Sequence, residues 1–428
     1  MQKKLGKYDL VRKLGEGATS TVFLGHDPFT QRDVAIKVAS PGILRDPEKG
    51  KLYSNLFLNE ASLIGKLNHP HIVQIFDAVV TEDICYIVME YVAGGTLEAH
   101  AHPDALLPID RVVELIFKCT RALDFAYRLG ITHRDIKPAN ILLCSNSDIK
   151  ISDFGAAITN ARADRTLVSG VGSPAYMSPQ QTQEQPLDHR TDIYSLGIVL
   201  HQLLTGDLPF QASNHHNMIY QIMHGIPSAP SAQRPDLPPV LDEIVARATA
   251  RNLADRYPTW SAFAHDLAQA VRNRLLRSPQ SDKVADTELF ATLRAIPFFR
   301  DFSDVEVWET VSFAELKTVA SGIPIIRDGE PGNFFSFVVN GELTVSKQGT
   351  ELTRLRNGDC FGEMAIVSRH GNIRSADVVA ATRSTIITIR GEALENASNA
   401  CRMHFYQGFM DVLAARLALA NQRVITIV

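Results

Sequence analysis

His133-Arg134-Asp135-Ile136-Lys137-Pro138-Ala139-Asn140 is the stretch on which the reading of this 428-residue chain turns. It sets a carboxylate, an ammonium and an amide close together on one short, proline-marked loop. Asp135 can take or orient a proton, Lys137 can neutralise an anion as it moves, and Asn140 can offer a hard oxygen to a cation. Just downstream, Ile149-Lys150-Ile151-Ser152 reads as a short strand that feeds Asp153-Phe154-Gly155 and a second carboxylate.

Working upstream, Leu10 to Leu14 reads as a strand, followed by Gly15-Glu16-Gly17-Ala18-Thr19-Ser20 and a second strand from Thr21 to Gly25. Two glycines let such a hairpin lie directly on phosphate oxygens and donate backbone N–H groups, with Ser20 as a small third residue. Alone, this loop reads equally well as a plain turn. Val34-Ala35-Ile36-Lys37 narrows the choice, because a lysine on a buried strand is costly unless it meets anions. The helix carboxylate that suits it is Glu60, in FLNEASLIGKLNHPHIV, where Leu56, Leu63, Ile64 and Leu67 share one face. Glu48 is the competing choice.

Phosphoryl transfer needs the triphosphate covered, metal ions held and an acceptor hydroxyl aimed in line. Each piece is present in order. The chain from about Tyr8 to Val271 resembles the eukaryotic-like (Hanks-type) protein kinase family, and Lys137-Pro138 resembles its serine/threonine branch. The resemblance implies an α+β, bilobal fold with ATP and Mg²⁺ in the cleft. Leu14, Gly15, Glu16, Gly17, Ala18, Thr19 and Ser20 would cover the phosphates. Backbone groups of Glu90 and Val92, in the hinge Met89-Glu90-Tyr91-Val92, would meet the adenine between Val22, Ala35 and Leu142. Asp135, Lys37, Glu60 and Lys137 would be catalytic, with Asn140 and Asp153 on the metal and Asp192 anchoring the catalytic loop. Thr166 or Ser169 is the candidate phosphosite and Ser173 the acceptor-site contact, although all three also read as ordinary loop hydroxyls. Ala139 gives no support to an arginine-directed substrate preference. One departure stands out. Gln180 occupies the place of the family's glutamate, opposite Arg256, so the family's ion pair is missing.

A second constellation follows. Asn357-Gly358-Asp359-Cys360-Phe361-Gly362-Glu363-Met364-Ala365-Ile366 precedes Ile373-Arg374-Ser375-Ala376-Asp377-Val378. A cyclic nucleotide offers one anionic phosphate and a ribose 2′-OH. Binding it needs an arginine, a carboxylate and the N–H groups of a tight turn. From about Phe298 to Arg390 the chain resembles the cyclic nucleotide-binding domain of regulatory subunits, catabolite activators and gated channels. Gly362, Glu363, Met364, Ala365, Arg374, Ser375 and Ala376 would then hold cAMP or cGMP. Two features depart from that pattern. Val367 to Asn372 lengthens the gap between Glu363 and Arg374, and Asp377 sets a carboxylate near the anion. A barrel that keeps the fold and binds nothing stays open.

The expected organisation is a kinase domain over 8–271, a polar linker over 272–291, and a small jelly-roll barrel with flanking helices over 292–428. The C-terminal helix, with Met410, Leu413, Leu417 and Leu419, either docks on the barrel or pairs two chains into a homodimer; docking is preferred. His215-His216 reads as part of a polar, solvated loop. A net charge of -4 argues against nucleic-acid binding. Five scattered cysteines without a C-x-x-C pair argue against zinc and disulfides. The start lacks an apolar leader core and no 18-residue apolar run occurs, so a cytoplasmic protein without membrane contact is expected. The reading is a serine/threonine kinase acting on protein substrates and regulated by cyclic nucleotide. The alternative is a kinase-shaped scaffold with a partner-recruiting barrel, for which Gln180 is the one sequence support.

Overall fold

The computed structural model describes residues 4–17, 20–40, 42, 65, 67–81, 84–144, 148–154, 158–159, 174–272, 286–367, 373–395, 397 and 399–427. The chain divides into two compact units, Met1–Pro279 and Gln280–Val428.

The first unit opens with an antiparallel sheet of β1 (Lys4–Leu5), β2 (Tyr8–Glu16), β3 (Ser20–Asp27), β4 (Arg32–Ala39), β5 (Ile75–Val80) and β6 (Cys85–Glu90), in the order β1-β2-β3-β4-β6-β5. The alternation in RDVAIKVA explains why β4 is central. Val34 and Ile36 bury on one face with Tyr8, Tyr86 and Val88, and Lys37 falls on the other. Lys37 lies opposite Val22 on one neighbouring strand and Ile87 on the other, so its stem is fixed from both sides.

Helices make up most of the rest of this unit. They include α1 (Ile109–Arg128), α2 (Arg190–Thr205), α3 (Pro239–Ala248) and α4 (Trp260–Arg272). The apolar run Ile193 to Leu204 is indeed a buried helix. Gly197 lets α2 approach α3, since a Cβ there would sit 2.7 Å from that of Ala248. Two small hairpins, β7 (Ile131–Thr132) with β10 (Ile158–Thr159) and β8 (Ile141–Leu143) with β9 (Ile149–Ile151), frame the loop at 133–140. His215 and His216 are not in a loop: they open the helix His215–His224, whose first turn is capped by the Asn214 side chain.

The second unit begins with α5 (Asp286–Ala295), so residues 286–291, linker-like in composition, start a helix in which Leu289 and Phe290 are buried. After α6 (Asp304–Val311), opened by a Ser303/Glu306 capping box, come eight strands among the described residues. These are β11 (Ala314–Val319), β12 (Pro324–Ile326), β13 (Phe334–Asn340), β14 (Leu343–Lys347), β15 (Thr350–Leu355), β16 (Cys360–Phe361), β17 (Asp377–Ala380) and β18 (Ser384–Arg390). They form two four-stranded antiparallel sheets, β11-β18-β13-β16 and β12-β17-β14-β15, which is jelly-roll order. Ile326, Val338, Leu343, Phe361, Val378 and Ile386 fill the space between the sheets. Phe335 and Phe337 alternate to the outside, where they meet Phe298, Phe405 and Phe409. Phe405 and Phe409 belong to α7 (Asn399–Ile427), so the C-terminal helix docks on the barrel through one face. No helix among the described residues is long and apolar enough to cross a membrane.

Candidate functional site

The loop at 133–140 is held from below. Asp192, at the start of α2 and 2% exposed, accepts the backbone N–H groups of His133 and Arg134, both at 2.7 Å. These bonds sustain Arg134 at φ 70°, a left-handed conformation that costs about 1–3 kcal/mol and needs such support. Burial pushes the Asp192 carboxyl above its usual range, against the pull of His133 and Arg134.

The loop then gathers its own polar groups. Lys137 Nζ donates to Asp135 Oδ2 at 2.7 Å. Asn140 Nδ2 donates to the Asp135 carbonyl at 2.8 Å and to its Oδ2 at 3.1 Å. With its NH₂ turned inward, the Asn140 side chain keeps its oxygen as the acceptor available to a cation.

Asp153 comes to this loop from β9. Its backbone also lies in the left-handed region, at φ 65°, and Lys37 Nζ donates to its Oδ1 at 2.6 Å. Burial alone would raise its carboxyl, but Lys37, then His133 and Lys137, hold it below the ordinary carboxylate range. It therefore stays ionised. Phe154 is fully buried against the His133 ring, with centroids 4.4 Å apart.

Above this cluster, Ala35 pairs with Met89 and Val22 pairs with Lys37 across the sheet. Leu142 lies in the β8–β9 hairpin, and Glu90 N–H donates to Gln74 O at 2.9 Å. Lys150 Nζ meets the Glu90 carboxylate at 3.1 Å. Gly17 N–H closes the glycine hairpin onto Ser20 O at 2.8 Å. Leu14, Gly15 and Glu16 end β2, and Val92 follows the hinge strand. Ala18, Thr19, Glu48, Glu60, Gly155, Thr166, Ser169 and Ser173 lie outside the described residues.

Gln180 is not an empty place. Arg256, 1% exposed, donates Nε to Ala250 O at 2.9 Å, Nη1 to Arg190 O at 2.8 Å and Nη2 to Gln180 Oε1 at 3.1 Å. Gln180 Nε2 in turn donates to Arg251 O at 3.0 Å. Burial lowers the Arg256 guanidinium to about 10, yet its donors are met.

The barrel site is built around two buried charges. Arg374, 5% exposed, donates Nη1 to Gly362 O at 2.9 Å and Nη2 to Phe334 O at 2.8 Å, with its guanidinium 4.4 Å over the Phe334 ring. Only glycine fits at 332, since a Cβ there would lie 1.9 Å from Arg374 Nε. Gly362 turns the chain at φ 83°. Glu363 is 1% exposed, and its Oε1 pairs with Arg416 Nη1 at 2.6 Å. Its Oε2 is buried without a hydrogen-bond partner among the described residues. Met364 is half exposed, and Ser375 Oγ lies 3.7 Å from its sulfur, with Ala376 alongside. The Ala365 side chain and residues 368–372 lie outside the described residues. Asp377 does not confront the site: its carboxylate accepts the Asp328 N–H at 2.9 Å. A separate cavity of about 500 Å³ in the second unit is lined by Val319, Ile325, Phe334, Ile386, Lys317 and Arg390 and by neither Arg374 nor Glu363.

Arg416 is the site residue that sequence reasoning missed. It lies in an Ala-rich helix far downstream of Glu363, and no local pattern joins the two.

Comparison with known proteins agrees with this division. A family profile described as "Protein kinase domain" matches residues 8–279, and one described as "Cyclic nucleotide-binding domain" matches residues 316–400. The chain is 37% identical over 299 residues to "Serine/threonine-protein kinase PknB" of Mycolicibacterium smegmatis, covering 68% of this chain and 47% of that protein. It is 37% identical over 286 residues to the protein of the same name from Mycobacterium leprae, covering 65% and 44%. It is 34% identical over 291 residues to "Serine/threonine-protein kinase PksC" of Streptomyces coelicolor, covering 65% and 50%. The chain thus spans about half the length of these relatives.

Proposed function

The chain belongs to the protein kinase family, and from that premise we propose that it transfers the γ-phosphoryl group of ATP to serine or threonine hydroxyls of proteins. The observation that carries this reading is the convergence of Asp135, Lys137 and Asn140 on one loop with the Lys37–Asp153 pair. A divalent ion, when bound, neutralises and orients phosphate oxygens. The ionised Asp153 and the Asn140 amide oxygen are hard donors that suit Mg²⁺. Asp135 orients the acceptor hydroxyl and takes its proton. Lys137, already 2.7 Å from Asp135, stands where a moving phosphoryl group gains most from a cation. Lys37 exchanges its Asp153 contact for phosphate oxygens, and Glu60 is its proposed helix partner. Thr166 or Ser169 is the proposed activating phosphosite.

In the second unit, cyclic nucleotide is the proposed regulatory ligand, cAMP and cGMP being equally admissible. Arg374 spends two donors on backbone carbonyls and has others for a phosphate. The unpartnered Glu363 Oε2 is the acceptor that a ribose 2′-OH would satisfy. Gln180, hydrogen-bonded to Arg256 and to Arg251 O, supports the catalytic reading over a silent scaffold. The five free cysteines suit a reducing compartment, and we place the protein in the cytoplasm, acting on protein substrates rather than nucleic acid.

The test is transfer of ³²P from γ-labelled ATP with Mg²⁺ to the chain itself and to a generic protein substrate. Wild type labels both and Asp135→Asn labels neither. Equal labelling by the two would remove Asp135 from the chemistry, and no wild-type labelling would remove the activity.

A further inference from the structure

The cavity beside the Arg374 site opens at the seam of the barrel. β11 ends one sheet and β12 ends the other, and among the described residues no ladder joins the two edges. Strand alternation sets Lys317 and Val319 of β11 on the same face as Ile386, Thr388 and Arg390 of β18 and Phe334 of β13. Ile323, Pro324 and Ile325 come from the side of the other sheet, and the space of about 500 Å³ between them falls in the range of small-ligand pockets. Apolar side chains are left wet there: Ile323 is 50% exposed, and Val319, Ile325 and Phe334 are half-buried. Phe334 is shared with the neighbouring site, since the Arg374 guanidinium lies 4.4 Å from its ring centroid. The Thr388 hydroxyl, 7% exposed, is already engaged with Ser336 Oγ at 3.1 Å. The charged groups lining the cavity are two cations, Lys317 and Arg390, against one carboxylate, Glu392, which takes an N–H of Asn333 at 3.2 Å. Outside the cavity, Glu315 meets Lys317 Nζ at 2.7 Å and Arg390 Nη2 at 3.3 Å. The two cations thus converge on a carboxylate, and both keep N–H donors for another.

We propose that this cavity binds a medium-chain fatty acid, its acyl chain between the aliphatic walls and its carboxylate on Lys317 and Arg390. The walls choose the chain. A sugar or a nucleobase would bury several polar edges against Val319, Ile325 and Ile386, where the one nearby hydroxyl is engaged, and each unpaired edge is costly. The rim chooses the head group. Its excess of one positive charge matches a single carboxylate, and Lys317 and Arg390, at 49% and 69% side-chain exposure, can turn from Glu315 to receive it. Because Arg374 and Glu363 stand outside the lining, this site does not depend on cyclic nucleotide binding next to it.

The full chain is titrated calorimetrically with octanoate, decanoate and decanol. Wild type binds one decanoate per chain, about 15-fold more tightly than octanoate, which is about fourfold for each added CH₂. Decanol binds on the order of tenfold more weakly than decanoate, as the loss of a partly exposed ion pair requires. Lys317→Gln/Arg390→Gln, both at exposed positions, keeps the urea midpoint of wild type, binds decanoate on the order of tenfold more weakly and binds decanol as wild type does. Ile323→Trp fills the cavity from a half-exposed position and loses both ligands. No saturable decanoate binding up to about 1 mM overturns the proposal, as does a stoichiometry of several per chain. Equal decanoate affinity in wild type and the double variant overturns the carboxylate contact, and undiminished binding to Ile323→Trp overturns the cavity as the site. Displacement of decanoate by cAMP or cGMP places it at Arg374 and overturns the separate site.

Discussion

Arg416→Ala isolates the contact between α7 and the barrel site. Glu363 is 1% exposed and the Arg416 side chain 39% exposed, so the pair lies between a buried and a surface ion pair. Removing one partner of a fully buried pair costs about 3–5 kcal/mol, and exposed pairs contribute about 0–1 kcal/mol. Water reaching the guanidinium side places Arg416→Ala near 2 kcal/mol, roughly midway between those limits. In urea, with a slope of about 2 kcal/mol per molar, the midpoint falls by about 1 M. The chain has two tryptophans, and Trp308 is buried in the second unit, 4.5 Å from Phe290. A Trp260→Phe background therefore makes fluorescence report that unit alone. Glu363→Ala should cost less, because it leaves a partly exposed arginine free to turn to water. In that background Arg416→Ala should cost less than in wild type, losing only its hydrogen bond to the Cys360 carbonyl. Equal losses from Arg416→Ala with and without Glu363 would refute the coupling.

Gly332→Ala places a methyl where Arg374 Nε lies, 1.9 Å away. Calorimetry should show cyclic nucleotide binding weakened on the order of 100-fold, the worth of a lost charge-assisted contact. Gln180→Ala removes one of the two hydrogen bonds to Arg251 O and leaves one Arg256 N–H short of a bond, and should destabilise the first unit by about 1–3 kcal/mol by Trp260 fluorescence. Gln180→Glu should stay within about 1 kcal/mol of wild type, because its second oxygen would face the Arg251 carbonyl. Burial, then Lys118, lowers His71 to about 3, so the folded chain keeps it neutral while the unfolded chain protonates it below about 6.5. Stability should therefore fall as pH drops from about 6.5 towards 3. Wild type should fall more steeply than His71→Asn, by about 1.4 kcal/mol per pH unit, in urea midpoints taken across that range.

The local motifs were legible because their geometry is local. HRDIKPAN forms one loop, and its Asp135, Lys137 and Asn140 bond to one another within it. Asp192 was legible only through the family resemblance of TDIYSLG, and its carboxylate does accept the N–H groups of His133 and Arg134. Contacts set by tertiary packing were not. Lys37 meets Asp153, a pairing across 116 positions that depends on where β9 lands against the sheet. Arg416 reaches Glu363 only because phenylalanines fix the angle of α7 on the barrel. Asp377 looked hostile to an anion until its carboxylate was seen capping the turn at Asp328. His215 and His216 read as loop because polarity outweighed the Asn214 cap that begins their helix.

The proposed phosphotransfer centre is one that answers to a ligand in the barrel. Labelled phosphate transfer from ATP to a protein substrate, with and without cAMP and with and without cGMP, tests it in wild type and Arg374→Ala. Wild type should transfer phosphate at a rate that one nucleotide changes by about 5–150-fold, the usual span of such coupling. Arg374→Ala should transfer phosphate at a rate indifferent to either. The same wild-type rate in every condition would contradict the regulation, and no transfer in any condition would contradict the kinase itself.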